Sequence, residues 1–334
     1  MRATPVRVGL VCLGAGLFLA AAFLLCLGLG TAGISMSQVL EWLAGHNVDP
    51  GVRVILGRLR LPRLITAALV GLCLSMSGSV FQGLLRNPLA DPFILGVSGG
   101  AAAGAVTAMF FGWTDTAALA GLAFLGAAAS IFLVLGVARR RGRMETVTLV
   151  LTGVMVNAFF TSVIMFVIST TTDQKLQAIM FWLYGDLGGS SLKQVWILLP
   201  VTAIVGLTLT GYARHLNLIV AGDRAAAASG VRVERVKLVL SLAVGLWCGV
   251  TVSISGLIGF VGLIVPHLTR MALGHDHRML LPASGLFGAA FMVLCDTAAR
   301  TAISPSQLPV GVVTAFLGAP FFLLLLAKRG SQWW

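Results

Sequence analysis

The chain has 334 residues, of which 58% are hydrophobic and only 10% are charged, and its net charge is +12. A soluble domain carries about 25% charged residues, so no soluble core could bury this much apolar sequence, and the composition predicts a polytopic membrane protein. The charges lie in short segments between apolar runs, which is the usual result of membrane topology. We therefore do not expect a nucleic-acid-binding protein.

The first apolar run follows Arg2 and Arg7 and continues to Gly30. It is longer than the roughly 7–15 residues of a signal-peptide core, so it predicts a first membrane helix. The five cysteines stand singly in apolar stretches, without the spacing of metal ligands or redox pairs. We interpret them as small buried hydrophobic residues.

Ten apolar runs are long enough to cross, or nearly cross, a bilayer, which takes about 20 helical residues. The run at 258–272 is short and contains Pro266, which predicts a half-helix or a tilted helix. We treat residues 1–334 as a single transmembrane domain. The predicted spans are 8–30, 64–85, 93–113, 117–138, 146–169, 195–212, 236–256, 258–272, 279–299 and 307–327.

An even number of spans places both termini on the same side of the membrane. If the N-terminus is cytoplasmic, sixteen Lys and Arg residues fall on the inner side and seven on the outer side. The positive-inside rule then places both termini in the cytoplasm, with the arginine cluster at 139–143 as a strong anchor. Four of the outer cations lie within 53–63. They could snorkel to lipid phosphates, or they could form a docking surface for an acidic partner outside the membrane.

Two polar interruptions break the apolar pattern, at 86–100 and at 259–270. Their prolines and charged residues indicate turns at a surface or a protected site. The segment 77–88 shares its Ser-Gly to Pro spacing with the segment 255–266. Because the two segments end predicted helices of opposite direction, they suggest an inverted repeat, with halves of roughly 60–170 and 236–328.

The inner loop at 214–235 contains an alanine run at 225–228, followed by Gly230. The alanines favour a helix and Gly230 is a natural stop, so we predict a short helix at the cytoplasmic face. This helix could be an interfacial connector, or it could insert into a cytoplasmic partner.

The sequence does not contain the patterns expected for ATP binding, catalysis, proton relay or metal binding. No phosphate-binding loop of the G-x-x-x-x-G-K-[ST] type occurs, so ATP would have to bind another subunit, and no catalytic set converges in the spans. Asp296 and Arg300 stand one helical turn apart, and we interpret them as a structural ion pair rather than a proton relay. The adjacent residues at 275–277, His-Asp-His, cannot easily converge on one metal, so we expect no metal site.

Motifs in a fixed order cover nearly the whole chain. They are Arg-Leu-Pro-Arg at 60–63, Arg-Asn-Pro-Leu-Ala-Asp-Pro at 86–92 with Leu-Gly-Val-Ser at 95–98, Gly-Phe-Val-Gly-Leu-Ile-Val-Pro-His at 259–267, Asp-His-Arg at 276–278 with Leu-Leu-Pro at 280–282, Asp296 with Ala299 and Arg300, and Leu-Pro-Val-Gly-Val-Val-Thr-Ala at 308–315 with Gly-Ala-Pro-Phe-Phe at 318–322. In these motifs the chain resembles FecCD-type permease subunits of binding-protein-dependent ABC importers for iron-siderophores, haem and vitamin B12.

The resemblance implies an all-α fold of about ten membrane helices, similar to a vitamin B12 importer permease, and a homodimer around a central path. It implies two separate subunits that bind ATP and Mg, a periplasmic or lipid-anchored binding protein, and a place in the bacterial inner membrane. No cofactor is expected on this chain. The residues that the resemblance assigns to ATPase coupling are Ala221, Gly222, Arg224, Ala226, Ser229 and Gly230.

The resemblance also assigns a docking site and an inner gate. The docking site would receive carboxylates of the binding protein, which favours docking over snorkelling for the outer cations; its residues are Arg60, Arg63 and Arg300. The gate residues are Asn87, Leu89 and Thr146, although Val147 departs from the hydroxyl-rich pattern of the family. Gln307 stands where many relatives carry Glu.

The expected function is ATP-driven import of a metal chelate by alternating access. Ferric siderophore is the first expected cargo, and haem or cobalamin comes next. The alternative is an ion-coupled secondary transporter, which also uses inverted repeats and broken helices. Such transporters usually hold ionisable residues at mid-membrane, whereas the acidic residues here lie near predicted helix ends.

Overall fold

The computed structural model of the chain describes residues 4–139, 144–303 and 306–329. These residues form helices joined by turns and loops, without a strand. The arginines of the 139–143 cluster beyond Arg139 lie outside these residues. The α-helices are α1 (Pro5–Gly28), α2 (Met36–Leu43), α3 (Pro50–Val54), α4 (Leu61–Leu84), α5 (Val97–Phe110), α6 (Thr116–Ala138), α7 (Thr146–Thr170), α8 (Asp173–Leu183), α9 (Leu192–Gly211), α10 (Ala213–Val220), α11 (Asp223–Ala228), α12 (Val233–Ser255), α13 (Val261–Leu273), α14 (His277–Thr301) and α15 (Val310–Arg329).

The prediction of ten apolar helices is confirmed among the described residues. Seven helices are long and apolar enough to span a membrane, and α5, α13 and the Val310–Leu324 part of α15 are shorter apolar helices. The span predicted at 93–113 begins too early, because a 3₁₀ turn at Pro92–Leu95 and Gly96, at φ +69°, precede α5. A left-handed residue cannot continue a right-handed helix, so the membrane helix starts only at Val97.

Short helices outside the predicted spans include α2, α8 and α10, which the sequence analysis does not predict. In addition, α3 runs into α4 through a π-helical turn, Ile55–Arg60, so that Pro50–Leu84 forms one helical stretch of 35 residues. In this turn the Leu61 N–H bonds to the Leu56 carbonyl five residues back. Such a π turn changes which way the following side chains face.

The core of the bundle surrounds α4, which is buried along most of its length and packs against α14, α13, α12 and α9. Glycines allow the closest approaches. A Cβ on Gly71 would collide with the backbone of Gly288 in α14, and a Cβ on Gly78 would collide with the backbone of Gly262 in α13. Small residues bring membrane helices together in this way because lipid supplies no hydrophobic drive for their association.

The outer helices α1, α7 and α9 expose most of their apolar side chains. In water such exposure would be costly, whereas in a bilayer or against a second apolar chain it is ordinary. The bundle therefore has the surface of a multi-span membrane protein.

The repeat alignment that the sequence suggests at 77–88 and 255–266 is wrong in its register. Ser77 and Gly78 lie inside α4, whereas Ser255 ends α12; Pro88 follows its helix, whereas Pro266 lies inside α13. Equal spacing of Ser, Gly and Pro arises easily in a chain with 40 glycines. The repeat halves 60–170 and 236–328 stay a prediction.

Candidate functional sites at the two ends of the bundle

Each end of the bundle contains an aspartate that pairs with basic side chains, Asp296 at one end and Asp223 at the other. At the Asp296 end, the start of α4 meets the end of α14, and at the Asp223 end, the end of α4 meets α10, α11 and the starts of α12 and α14. The predicted docking residues lie at the Asp296 end. The predicted coupling residues and Asn87 and Leu89 lie at the Asp223 end.

Asp296 is fully buried and holds two guanidinium groups. Arg63 Nε donates to Asp296 Oδ1 at 2.9 Å and to Oδ2 at 3.1 Å, and Arg300 Nε lies 3.2 Å from Oδ2. The predicted ion pair of Asp296 and Arg300 is therefore present, and Arg63 joins it. Gln307 also belongs to this cluster, because its side-chain oxygen accepts from Arg63 Nη1 at 2.9 Å. A carboxylate surrounded by fixed donors in this way is a structural element.

Arg60 lies beside this cluster and caps another helix. Its Nη1 donates to the carbonyls of Leu27 at 2.7 Å and Gly28 at 2.9 Å, which are among the last carbonyls of α1. A cation at a helix C-terminus satisfies free carbonyls and opposes the negative end of the helix dipole. Arg60 is the last residue of the π turn.

The three predicted docking arginines line one cavity of about 330 Å³, together with Gln307, residues of the π turn and residues of the loops after α1 and α8. The sequence suggested an exposed basic patch, and the structure corrects this, because Arg60, Arg63 and Arg300 are each less than 10% exposed. Arg53 and Arg58 are the exposed cations of the 53–63 segment. The cavity is nevertheless basic, since three guanidinium groups line it and Asp296 pairs with only two of them, and Arg63 Nη2 has no hydrogen-bond partner.

The predicted helix of the inner loop is confirmed as α11, which is preceded by Gly222 at φ +132° and followed by Gly230 at φ +82°. Ala226 is buried against the bundle, so it is not part of the exposed face of α11. The exposed residues of this segment are Ala221, Arg224, Ala225, Ala227, Ala228, Ser229 and Gly230.

The predicted gate residues divide between two elements. Asn87 and Leu89 belong to one tight turn, in which Asn87 Oδ1 accepts from the Leu89 N–H at 2.9 Å and the Asn87 carbonyl accepts from the Ala90 N–H at 3.0 Å. Thr146 is the first residue of α7. Among the described residues, no hydrogen bond joins Thr146 to this turn.

A polar network at the Asp223 end was missed by the sequence analysis. Arg86 donates to the carbonyl of Ile219 in α10 and to the carboxylate of Asp223 in α11, and Lys237 of α12 donates to the other oxygen of Asp223 at 2.6 Å. The available signal was the position of Arg86 directly after a helix, where glycine is usual.

The side chains of residues 275–277 differ in burial and in hydrogen-bond partners. His277 is buried and its Nδ1 lies 2.7 Å from Asn217 Oδ1, whereas His275 is exposed. Asp276 accepts from Asn217 and from Arg278, whose guanidinium holds the pKa of that carboxyl well below its usual range. In the part of the chain that the structure describes, no three His, Cys, Asp or Glu residues are grouped so as to hold a metal.

Asp91 caps the 3₁₀ turn that follows the Asn87 turn, and its Oδ1 accepts from the Phe93 N–H at 2.8 Å. Burial raises the pKa of Asp91 to about 6, because desolvation opposes its charged form. The native state then holds this proton more tightly than the unfolded chain, where an aspartate has a pKa of about 3.9. The charged Asp91 carboxylate therefore lowers the free energy of unfolding above pH 6. This destabilisation disappears as the pH falls below about 4, where Asp91 is protonated in both states.

Asp91→Asn is therefore expected to raise the free energy of unfolding by up to about 3 kcal/mol at pH 7.5, and the gain should vanish near pH 4. The amide keeps an acceptor for Phe93 but carries no charge to desolvate. Thermal unfolding in detergent between pH 4 and 8 would measure this difference, with Asp115→Asn at an exposed helix cap as the control. A pH-independent difference at Asp91 would contradict the assigned burial effect.

Residues 18–328 match the FecCD transport family. The chain belongs to this family. It is 44% identical over 85% of its length to the cobalamin import system permease protein BtuC of Halobacterium salinarum, covering 76% of that protein. It is 38% identical over 92% of its length to the hemin transport system permease protein HmuU of Yersinia pestis, covering 94% of it.

Among solved structures, the FecCD chain is similar to a metal-chelate type ABC transporter in an inward-facing conformation. The TM-score is 0.84 and the identity is 32%, over 96% of this chain and 99% of the other. The resemblance suggested by the motifs is thereby confirmed at the level of family and fold, and the chain is a permease of the metal-chelate, B12 and haem type of ABC importer.

Proposed function

We propose that this permease works as a homodimer in the bacterial inner membrane, with two separate ATP-binding subunits and a periplasmic or lipid-anchored binding protein. ATP and Mg would be held by those subunits, which drive alternating access. The observation that carries the proposal is the match of nearly the whole chain, in family and in fold, to ABC importer permeases. The lack of a phosphate-binding loop in this sequence supports a separate ATPase.

The distribution of charge supports a proposed orientation in the membrane. The Asp223 end would face the cytoplasm, because sixteen of the 23 Lys and Arg residues fall on that side of the predicted topology. Both termini would then be cytoplasmic. The Asp296 end would face outward and meet the binding protein.

The translocation path would run along α7 between the two copies. Asn157 lies near the middle of this span and is exposed, and its amide makes no hydrogen bond with the described residues. An unsatisfied amide is costly in hydrocarbon, so a water-filled path is a better environment for it than lipid. Asn87, Leu89 and Thr146, at the cytoplasmic side in this orientation, would gate the path.

The cytoplasmic partner would dock on the exposed face of α11. This helix projects small side chains and Arg224 away from the bundle, which suits insertion into a groove of the ATP-binding subunit. Gly222 and Gly230 both have positive φ and form the turns that precede and follow this helix.

The binding protein would dock through a carboxylate that enters the arginine-lined cavity. Arg63 Nη2 is buried without a hydrogen-bond partner, so an entering carboxylate would have to reach past the cavity surface to accept from it; charge-assisted bonds from guanidinium groups suit a carboxylate. Reversing Arg63 or Arg300 would disrupt the Asp296 cluster as well, so these residues cannot isolate docking. Arg60, whose partners are backbone carbonyls, is the better choice.

Arg60→Gln is expected to weaken binding-protein docking at least tenfold at low salt, because it removes a desolvated charge from the cavity. Arg58→Gln, an exposed residue that does not line the cavity, should change the dissociation constant by about twofold or less. Binding of the cognate binding protein to the permease in nanodiscs would measure both. Equal effects of the two variants would contradict docking in the cavity.

For the cargo we propose a bulky metal chelate, and we place cobalamin ahead of the initially expected ferric siderophore. The reason is the 44% identity to a permease named for cobalamin import. Haem remains a candidate through the relative named for hemin. The test is uptake into proteoliposomes that contain the permease, its ATPase and its binding protein, with the three labelled cargoes in parallel.

Uptake of one cargo that needs both ATP and the binding protein is the expected result. Uptake of siderophore alone would restore the first expectation for the cargo and leave the mechanism in place. Uptake driven by an ion gradient without ATP would overturn the mechanism and favour the secondary transporter.

A further inference from the structure

Arg86 occupies a backbone position that arginine rarely adopts. It has φ +49° and lies one residue beyond the last turn of α4. The Arg86 N–H bonds to the Gly83 carbonyl and the Asn87 N–H to the Gln82 carbonyl, which are the two bonds of a Schellman motif. Glycine is usual at this position because a Cβ is strained there. An arginine in its place indicates that the guanidinium group is needed.

The guanidinium group joins three helices at the Asp223 end. Its Nε and Nη2 donate to the Ile219 carbonyl, at 3.0 and 2.6 Å, near the end of α10. Its Nη2 also pairs with Asp223, the first residue of α11. Lys237 of α12 is only 6% exposed and pairs with the same carboxylate, so Asp223 is held from both sides.

The other side of Arg86 is the turn that contains Asn87 and Leu89. This turn is closed by the Leu89 N–H, which donates to Asn87 Oδ1, and by the Ala90 N–H, which donates to the Asn87 carbonyl, so its residues are tied to one another. No flexible segment separates the guanidinium contacts on α10 and α11 from Leu89. These contacts would pass a displacement of α11 to this turn through Arg86.

We propose that Arg86 is the positioning residue that couples movement of α10 and α11 to the Asn87–Leu89 turn. This inference rests on the proposed function, in which α11 meets the ATPase and the turn gates the path. Without the guanidinium link, ATP hydrolysis would continue while the gate turn no longer followed α11.

Arg86→Gly separates this role from a role in folding. Glycine relieves the backbone strain and keeps the Schellman bonds, but it removes every side-chain contact. We expect normal expression and an unchanged or higher thermal midpoint, ATPase activity within about twofold of wild type, and uptake per ATP reduced at least tenfold. Arg214→Gln, an exposed arginine of α10, is the matched control and should leave the uptake ratio unchanged.

Three results would overturn the inference. The first is an unchanged ratio of uptake to hydrolysis in Arg86→Gly. The second is loss of ATPase binding, which would make Arg86 a docking residue. The third is failure of Arg86→Gly to fold, which would make the network a structural clamp only.

A second readout does not depend on transport. A spin label at Leu89→Cys in the permease alone should become more mobile when Arg86→Gly is added, and not when Arg214→Gln is added. Unchanged label mobility would contradict the inference even if wild type imports its cargo. Absence of ATP-driven uptake by wild type would contradict the proposed function, whereas the label result would still decide whether Arg86 fixes the turn.

Discussion

Replacing Asp296 with alanine is expected to lower the free energy of unfolding by about 3–5 kcal/mol, because the change leaves two buried cations without a counter-charge. The side chains of Arg63 and Arg300 are only 8% and 10% exposed, so water cannot replace the carboxylate. At this cost the variant should accumulate poorly in membranes and should unfold at a much lower temperature in detergent.

The chain offers its own reporter for this measurement. Four of its five free cysteines are buried, so a thiol-reactive dye labels them only as the bundle opens. Asp115→Ala is the comparison, since Asp115 caps α6 at an exposed position where its loss should cost about 1 kcal/mol. If the two variants unfolded at the same temperature, the Asp296 cluster would not be an important source of stability.

Gly78→Ala is expected to cost about 3 kcal/mol through overpacking, because the added methyl group would collide with the backbone of Gly262. The neighbour is main chain rather than a flexible side chain, so α4 and α13 would have to separate. Gln82, one turn further along α4, also bonds to the Gly262 carbonyl, at 3.2 Å, and this bond would be strained or lost.

Gly136→Ala should have the opposite effect. Gly136 lies in α6 with nothing within 4 Å of its added Cβ, and alanine is the better helix former by about 1 kcal/mol. The same dye assay on both variants would show shifts of opposite sign. A shift of the same sign in both would mean that helix propensity, and not the contact with Gly262, governs position 78.

The membrane helices could be predicted from the sequence because their signal is long and local. Apolar runs such as 146–169 reappear as α7, and the alanine run before Gly230 reappears as α11. The interruption at 86–100 indicated a turn before α5 but not where the helix begins, because the positive φ of Gly96 cannot be inferred from hydropathy. The repeat register failed because a shared spacing of small residues carries no information on where each helix ends.

The proximity of the predicted docking residues could be inferred from the sequence, but their environment could not. The motifs brought Arg60, Arg63 and Arg300 together correctly, and the cavity they line confirms their proximity. Their burial depends on contacts across the bundle, with Asp296 and with the end of α1, which no local pattern reveals. The same holds for Lys237 and Asp223, whose pairing brings the start of α12 against the first residue of α11.

The Asp296 cluster also has a consequence for how the protein is made. Arg63 and Asp296 are separated by 233 residues, and at about 5–20 residues per second a ribosome needs on the order of tens of seconds to add them. Throughout that time the Arg63 cation has no counter-ion from α14 and depends on water or lipid phosphates. A chain that stops before residue 296 never gains this carboxylate, so its Arg63 cation stays without the buried counter-charge that the complete bundle provides.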